Sequence, residues 1–366
     1  MQLFTSVKLG RLELPNRVIM APMNRARCDA DRVPTPMVAE YYRQRAGAGL
    51  VITEASSISP MSQSRPHASA IYLDSHVAGW AQVAAAVHGA GGRIFQQINH
   101  LGRKSDPSRM PDGLVPVAPS AIAAKGQVAG LNGPIDFAVP RALEPDEIAG
   151  IVGQFRQAAR NAGAAGMDGI EIHGANAYLI DQFLKSKSNL RTDAYGGGVE
   201  NRARLLIEIT KAAIGELGAE RVGVRISPHL AADGIGDSDV AATFGYVAGA
   251  LRRLGIAYLH LVEAAEPGTD QSPPAGTQPL LPAIRQAFSG KLIVNSAYDR
   301  ARAEAVIATG LADAVAFARL YIPNPDLAER LALDAPLAEA DPATIFSGGA
   351  EGYIDYPALE KADAGR

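Results

Sequence analysis

A short run of β-branched and apolar residues, a turn of small residues and a longer stretch of helical periodicity recur eight times along this chain of 366 residues. The runs are Arg17-Val-Ile-Met-Ala, Leu50-Val-Ile-Thr-Glu, Arg93-Ile-Phe-Gln-Gln-Ile, Gly169-Ile-Glu-Ile-His, Val222-Gly-Val-Arg-Ile, Tyr258-Leu-His-Leu-Val, Lys291-Leu-Ile-Val-Asn and Ala314-Val-Ala-Phe-Ala. Near-continuous apolar strands suit a sheet buried on both faces, and such sheets are parallel with helices packed over them. Eight strand–helix units close a (β/α)8 barrel. The fold class is therefore read as α/β, a TIM barrel, with residues 1–366 forming one domain.

Two segments stand outside this rhythm. Residues 3–15 read as an N-terminal hairpin turning at Leu9-Gly-Arg-Leu, placed to close the bottom of the barrel. Residues 103–143, rich in Pro, Gly and Ser, form an insertion after the third strand. Connections of this length in compact domains serve as lids or binding loops, and this one is expected to overhang the C-terminal ends of the strands.

Composition narrows the chemistry. Lys+Arg 35 against Asp+Glu 38 leaves a charge of -3, with no basic footprint for nucleic acid. The one cysteine, Cys28, excludes an internal disulfide and fits a reducing compartment. No signal peptide and no membrane-spanning apolar run is visible, so a cytoplasmic protein is expected. Neither Gly-x-Gly-x-x-Gly after a strand nor a Gly-x4-Gly-Lys-Ser/Thr loop occurs, so a nucleotide must be held by other means. The seven histidines form no His-x-His or His-Glu-x-x-His pattern, and no metal is expected.

Barrel enzymes carry their chemistry at the C-terminal ends of the strands. The fourth run ends in Glu171-Ile-His173-Gly-Ala-Asn176-Ala-Tyr178: an imidazole, an amide and a phenol. Two donors and a phenol suit polarisation of a carbonyl or nitro oxygen with a proton supplied nearby. The same pattern also fits a core histidine and a packing tyrosine. Gln97-Ile-Asn99-His100 ends the third run, Met20-Ala-Pro22-Met23-Asn24 the first, and Arg225-Ile-Ser the fifth. An inward arginine at a rim calls for an anion or a polarisable acceptor. Asn295-Ser296-Ala297-Tyr298 and Ala318-Arg319 lie after the last two runs, where barrels often bind phosphate, the lesser alternative being that Arg319 pairs with a surface acid.

Across almost its whole length the sequence resembles the old yellow enzyme family of FMN-dependent ene-reductases, including the N-ethylmaleimide-reductase-like members. The resemblance rests on Pro15-Asn-Arg-Val-Ile-Met-Ala-Pro, Pro34-Thr-Pro-Met-Val-Ala-Glu-Tyr-Tyr-Arg-Gln-Arg, His173-Gly-Ala-Asn-Ala-Tyr-Leu-Ile-Asp-Gln-Phe-Leu and Ser188-Asn-Leu-Arg-Thr-Asp-Ala-Tyr-Gly-Gly-Gly-Val-Glu-Asn-Arg. It implies one FMN across the barrel mouth, with Ser296, Ala297, Ala318 and Arg319 at the phosphate. Pro22, Met23, Asn24, Ala55 and Gln97 would lie at the ring, with Arg225 at its N1–C2 carbonyl edge. It implies His173 and Asn176 as donors to the substrate oxygen, Tyr178 as proton donor and Tyr353 as a pocket residue, a packing role being the equal alternative for Tyr353. Hydride would pass from NADPH or NADH to flavin N5, then to the β-carbon of an unsaturated carbonyl, maleimide or nitro compound, with Tyr178 protonating the α-carbon. Partners would be small activated alkenes, and the chain a monomer or homodimer.

With an asparagine as second donor, any pH sensitivity of substrate polarisation is expected to rest on His173. Four positions depart from the family pattern: Asn24 for threonine or cysteine, Asn99 for tryptophan, Ala318 for glycine and Arg65 for an aromatic. Ala318 is tolerable only if that backbone needs no positive φ. A flavin-free sugar-phosphate isomerase or aldolase would share the phosphate loops but lacks a strand-end lysine. A flavin-binding module without turnover is the remaining alternative.

Overall fold

The computed structural model describes residues 1–62, 65–111, 114–130, 133–263 and 279–359. Its eight parallel strands follow chain order: β1 (Val18–Met20), β2 (Leu50–Ile52), β3 (Ile94–Asn99), β4 (Gly169–Gly174), β5 (Val222–Ile226), β6 (Tyr258–Val262), β7 (Leu292–Asn295) and β8 (Ala314–Phe317). β8 pairs back onto β1 through Val315 with Val18, which closes the cylinder. Each apolar run read from the sequence supplies one strand. The helices are α1 (Pro36–Gln44), α2 (Asp74–Gly89), α3 (Pro145–Ala164), α4 (Leu179–Leu184), α5 (Val199–Leu217), α6 (Val240–Leu254), α7 (Leu281–Ala287), α8 (Arg300–Ala308) and α9 (Leu327–Leu333). No helix among the described residues is long and apolar enough to cross a membrane.

Successive strand residues face opposite sides, so one strand serves two cores. Val18, Val51, Ile98, Ile172 and Val224 join Trp80, Phe155, Leu206 and Phe244 of the helices in an outer apolar layer. Ile19, Leu50, Ile52, Phe95, Tyr258, Ile293, Ala314 and Ala316 fill the lower interior. Two glycines make room there: a Cβ at Gly169 would meet the Phe95 ring at 2.4 Å, and one at Gly223 the Tyr258 ring at 2.2 Å. The expected hairpin pairs Val7–Leu9 with Leu12–Leu14 and pushes Val7, Leu9 and Leu14 into this inner cluster, plugging the N-terminal end.

The insertion after β3 begins with a 3-10 turn at Gly102–Lys104 and contains a short antiparallel hairpin, Gln127–Gly130 with Gly133–Asp136; residues 112–113 and 131–132 of it lie outside the described residues. It is tied to the loops beyond β4 and β5. Arg103 donates to the carbonyls of Ile122 and Asp233, and Arg191 to those of Pro119 and Leu143. The segment thus covers the β3–β5 side of the mouth.

Candidate active site

β4 sets the geometry of the mouth. It delivers His173 to the inner face, and the chain then reverses through Asn176 and Ala177, both left-handed at φ 60 and φ 62. Asparagine adopts that conformation readily, whereas alanine does so at a cost, so the turn must be held from outside. The Asn176 amide donates to Ser227 Oγ at 2.8 Å, and that of Ala177 to Asp181 Oδ2 at 2.9 Å. Asp181 forms a fully buried pair with Lys185 at 3.2 Å, and Lys185 also donates to the carbonyls of Ser227 and Leu230. Gln182 clamps the carbonyls of Leu101 and Ala177. Over-determination of this kind lets a strained turn persist.

The result brings His173 and Tyr178 together edge to face, ring centroids 4.9 Å apart, with Asn176 and Tyr178 half-buried beside them. His173 Nδ1 accepts the Ala175 amide at 3.3 Å, which leaves the proton of the neutral ring on Nε2. Burial, reinforced by Arg225, His260 and Lys104, pushes the His173 imidazole well below its usual range. In the neutral range His173 is therefore an uncharged donor, and any pH sensitivity resting on it falls below that range. Lys104, paired with Asp233, lies 5.4 Å from the centre of the Tyr178 ring.

Gln97 and Arg225 are buried beneath the mouth. Arg225 donates to Asn295 Oδ1 at 2.9 Å, while its Nε is buried without a protein partner. Pro22, Met23, Asn24 and Ala55 are half-buried at the tips of β1 and β2, and Asn24 Oδ1 and Asn99 Oδ1 are buried without partners. The loop bearing Pro22–Asn24 is stapled by Glu54, whose Oε2 accepts the amides of Arg25 and Ala26. Burial pushes the Glu54 carboxyl up to about 7, against the pull of those hydrogen bonds.

On the opposite rim, Ser296 and Ala297 take φ 150 and φ 42, whereas Ala318 sits at φ -101, so its replacement of glycine is unstrained. Ser296 and Arg302 line a cavity of about 150 Å³ with Leu261, Val262 and Leu280. Arg319 is exposed, and no ion pair holds it among the described residues. Arg302, which also donates to the Ala297 carbonyl, is a cation at this rim that the sequence reading passed over.

Of the two readings of Tyr353, its surroundings fit the packing one. It is fully buried, stacked on Tyr41 at 4.2 Å with Arg25 and Arg27 over its ring, and it has no accessible surface at the mouth. The C-terminal segment seats it as packing because α1 offers an aromatic face there. Arg65 stacks on Phe346, 4.3 Å from the ring centre. Among the described residues no cluster of metal-binding side chains occurs.

A family model described as NADH:flavin oxidoreductase / NADH oxidase matches residues 2–337. The chain belongs to that family. It is an old yellow enzyme homologue and an FMN-dependent alkene reductase that uses a nicotinamide reductant. It is 42% identical over 354 residues to a probable flavin mononucleotide-dependent alkene reductase of Leishmania infantum, covering 95% of each chain. It is 41% identical to 12-oxophytodienoate reductase 1 of Oryza sativa subsp. japonica, over 99% of this chain and 94% of that one. Among solved structures, the old yellow enzyme homologue of Zymomonas mobilis superposes with TM-score 0.95 at 42% identity, covering 98% of this chain and all (100%) of that one. A morphinone reductase variant in complex with tetrahydroNAD superposes with TM-score 0.93 at 46% identity over 100% of both chains. The mouth of this old yellow enzyme homologue suits a polar, ring-bearing group: Arg225 Nε, Asn24 Oδ1 and Asn99 Oδ1 are buried there without protein partners.

Proposed function

We propose that this chain is a single-domain enzyme that reduces the activated C=C bond of α,β-unsaturated carbonyl, maleimide or nitro compounds at the expense of NADPH or NADH. The observation that carries the reading is the contact of His173 with Tyr178 at the mouth, with the His173 proton held on Nε2. When bound, FMN supplies the hydride chemistry, accepting from the nicotinamide and donating to the β-carbon. Pro22, Met23, Asn24, Ala55 and Gln97 would bind and orient the ring, and Ser296, Ala297, Ala318 and Arg319 would hold the phosphate. Arg225, buried with its Nε unpartnered, would favour negative charge on a bound ring, an effect strongest away from water.

His173 and Asn176 donate to the substrate oxygen, so electron density is drawn from the alkene. Neither donor changes charge near neutral pH. Tyr178 holds the proton destined for the α-carbon. Asn99, in place of a large aromatic, leaves this pocket wider and more polar.

The test is anaerobic stopped-flow on FMN-loaded protein, with reduction by each nicotinamide followed by reoxidation with cyclohexenone. Bleaching and then recovery of the yellow colour is expected. A chain that takes up no FMN refutes the reading, and bleaching without recovery reduces it to flavin binding alone.

A further inference from the structure

A carboxylate lies inside the barrel one pleat below His173. Glu171 is 0% exposed, as are Tyr258 and His260. Its Oε1 accepts from Gln97 Nε2 at 2.7 Å; its Oε2 accepts from Tyr258 OH at 3.1 Å and His260 Nδ1 at 2.8 Å. Tyr258 reaches across only because Gly223, its neighbour in register, has no side chain. Burial opposes ionisation, but His260, Arg225 and the hydrogen bonds outweigh it and hold the carboxyl below its usual range. A buried charge costs several kcal/mol to desolvate, and apolar replacements at such positions are often neutral or stabilising. Packing alone therefore does not account for a glutamate here.

Its chemistry constrains two residues of the flavin site. An ionised carboxylate only accepts, so Gln97 must turn its NH2 towards Glu171 and its carbonyl oxygen away. In a low-dielectric interior the same charge also offsets the Arg225 guanidinium. We propose that Glu171 is a positioning residue that fixes the Gln97 amide and partly neutralises Arg225, thereby restraining the preference of the site for the reduced, anionic ring. The inference rests on the flavin reading above.

The experiment titrates wild type and Glu171→Gln with oxidised and with reduced FMN, and measures the midpoint potential of each holoprotein. Removing the negative charge should favour reduced over oxidised FMN by about tenfold or more, an upward shift of about 30 mV for a two-electron couple. Glu171→Asp, which keeps the charge, should return most of the shift. Tyr258→Phe, which strips one donor from the carboxylate, should move the ratio the other way by a smaller factor. An unchanged or lowered ratio in Glu171→Gln overturns the proposal. Should that variant fail to fold, an unchanged ratio in Tyr258→Phe overturns it. Wild type without FMN binding overturns the flavin reading itself, a result distinct from wild type that binds FMN beside an insensitive variant.

Discussion

The lower and upper halves of the barrel interior are built on the same strands and the same inward face, yet their contents are opposite. Below lie Ile19, Leu50, Ile52, Phe95 and Ile293; above lie Gln97, Glu171, His173, Arg225, His260 and Asn295. Moving two residues along β3, from Phe95 to Gln97, crosses from one regime to the other. The lower half stabilises the fold through apolar burial. The upper half works against it, because each polar group has left water, and it persists through hydrogen bonds such as Gln97 to Glu171 and Arg225 to Asn295. The barrel thus separates the residues that hold it together from those that act.

That separation can be broken by substitution. Tyr178→Phe, at the mouth, should retain flavin reduction by NAD(P)H but slow the alkene half-reaction by about 10²–10⁴-fold, with thermal stability unchanged. Equal alkene rates by stopped-flow would remove Tyr178 from its role. Phe95→Ala, below, should lower stability by about 3–5 kcal/mol in denaturant unfolding while leaving the spectrum of bound FMN as in wild type. Arg225→Met should weaken FMN binding by about 10–10²-fold in fluorescence titration, the loss expected of a contact made by a charged donor. A smaller effect there than at Phe95 would mean that the two halves are not functionally distinct.

Two pH measurements sharpen the contrast with smaller effects. Because the His173 imidazole is held well below its usual range, the alkene half-reaction should show no His173-dependent step between about pH 6 and 9. A limb near the ordinary histidine value that disappears in His173→Asn would count against this. Glu54 behaves in the opposite sense. Its folded value of about 7 exceeds the ordinary 4.5, so between these the folded chain binds more protons than the unfolded one. Stability should therefore decline as pH rises through that window, and Glu54→Gln should flatten the slope in pH-dependent unfolding.

Much of this was legible beforehand. All eight strands were visible because a doubly covered strand must be apolar on both faces, and the hairpin because Gly10 interrupts two alternating strips. His173, Asn176 and Tyr178 were legible from their spacing after a strand and from the family resemblance. Glu171 and His260 carry no such signal, although they stand directly in register with Gln97 and Arg225, because a carboxylate within an apolar run carries no local sign of three donors from other strands. Asp181 and Lys185 have the i, i+4 spacing common on helix surfaces, and their burial depends on the loop after β5, whose Ser227 and Leu230 carbonyls accept from Lys185. Tyr353 stayed open between pocket and packing because sequence position near the C-terminus says nothing of which aromatic it will meet.

What the sequence by itself determined is periodicity and residue chemistry: a (β/α)8 cylinder, a closed lower end, and a rim bearing an imidazole, an amide and a phenol. The tertiary structure alone decided protonation and pairing. The His173 tautomer is set by a backbone amide, the Gln97 amide by Glu171, and the turn at Asn176 and Ala177 by Ser227 and Asp181. The physical reason is range: hydrophobic alternation acts between neighbours along one strand, whereas a hydrogen bond or a buried charge is defined only when distant strands bring their side chains within a few ångströms.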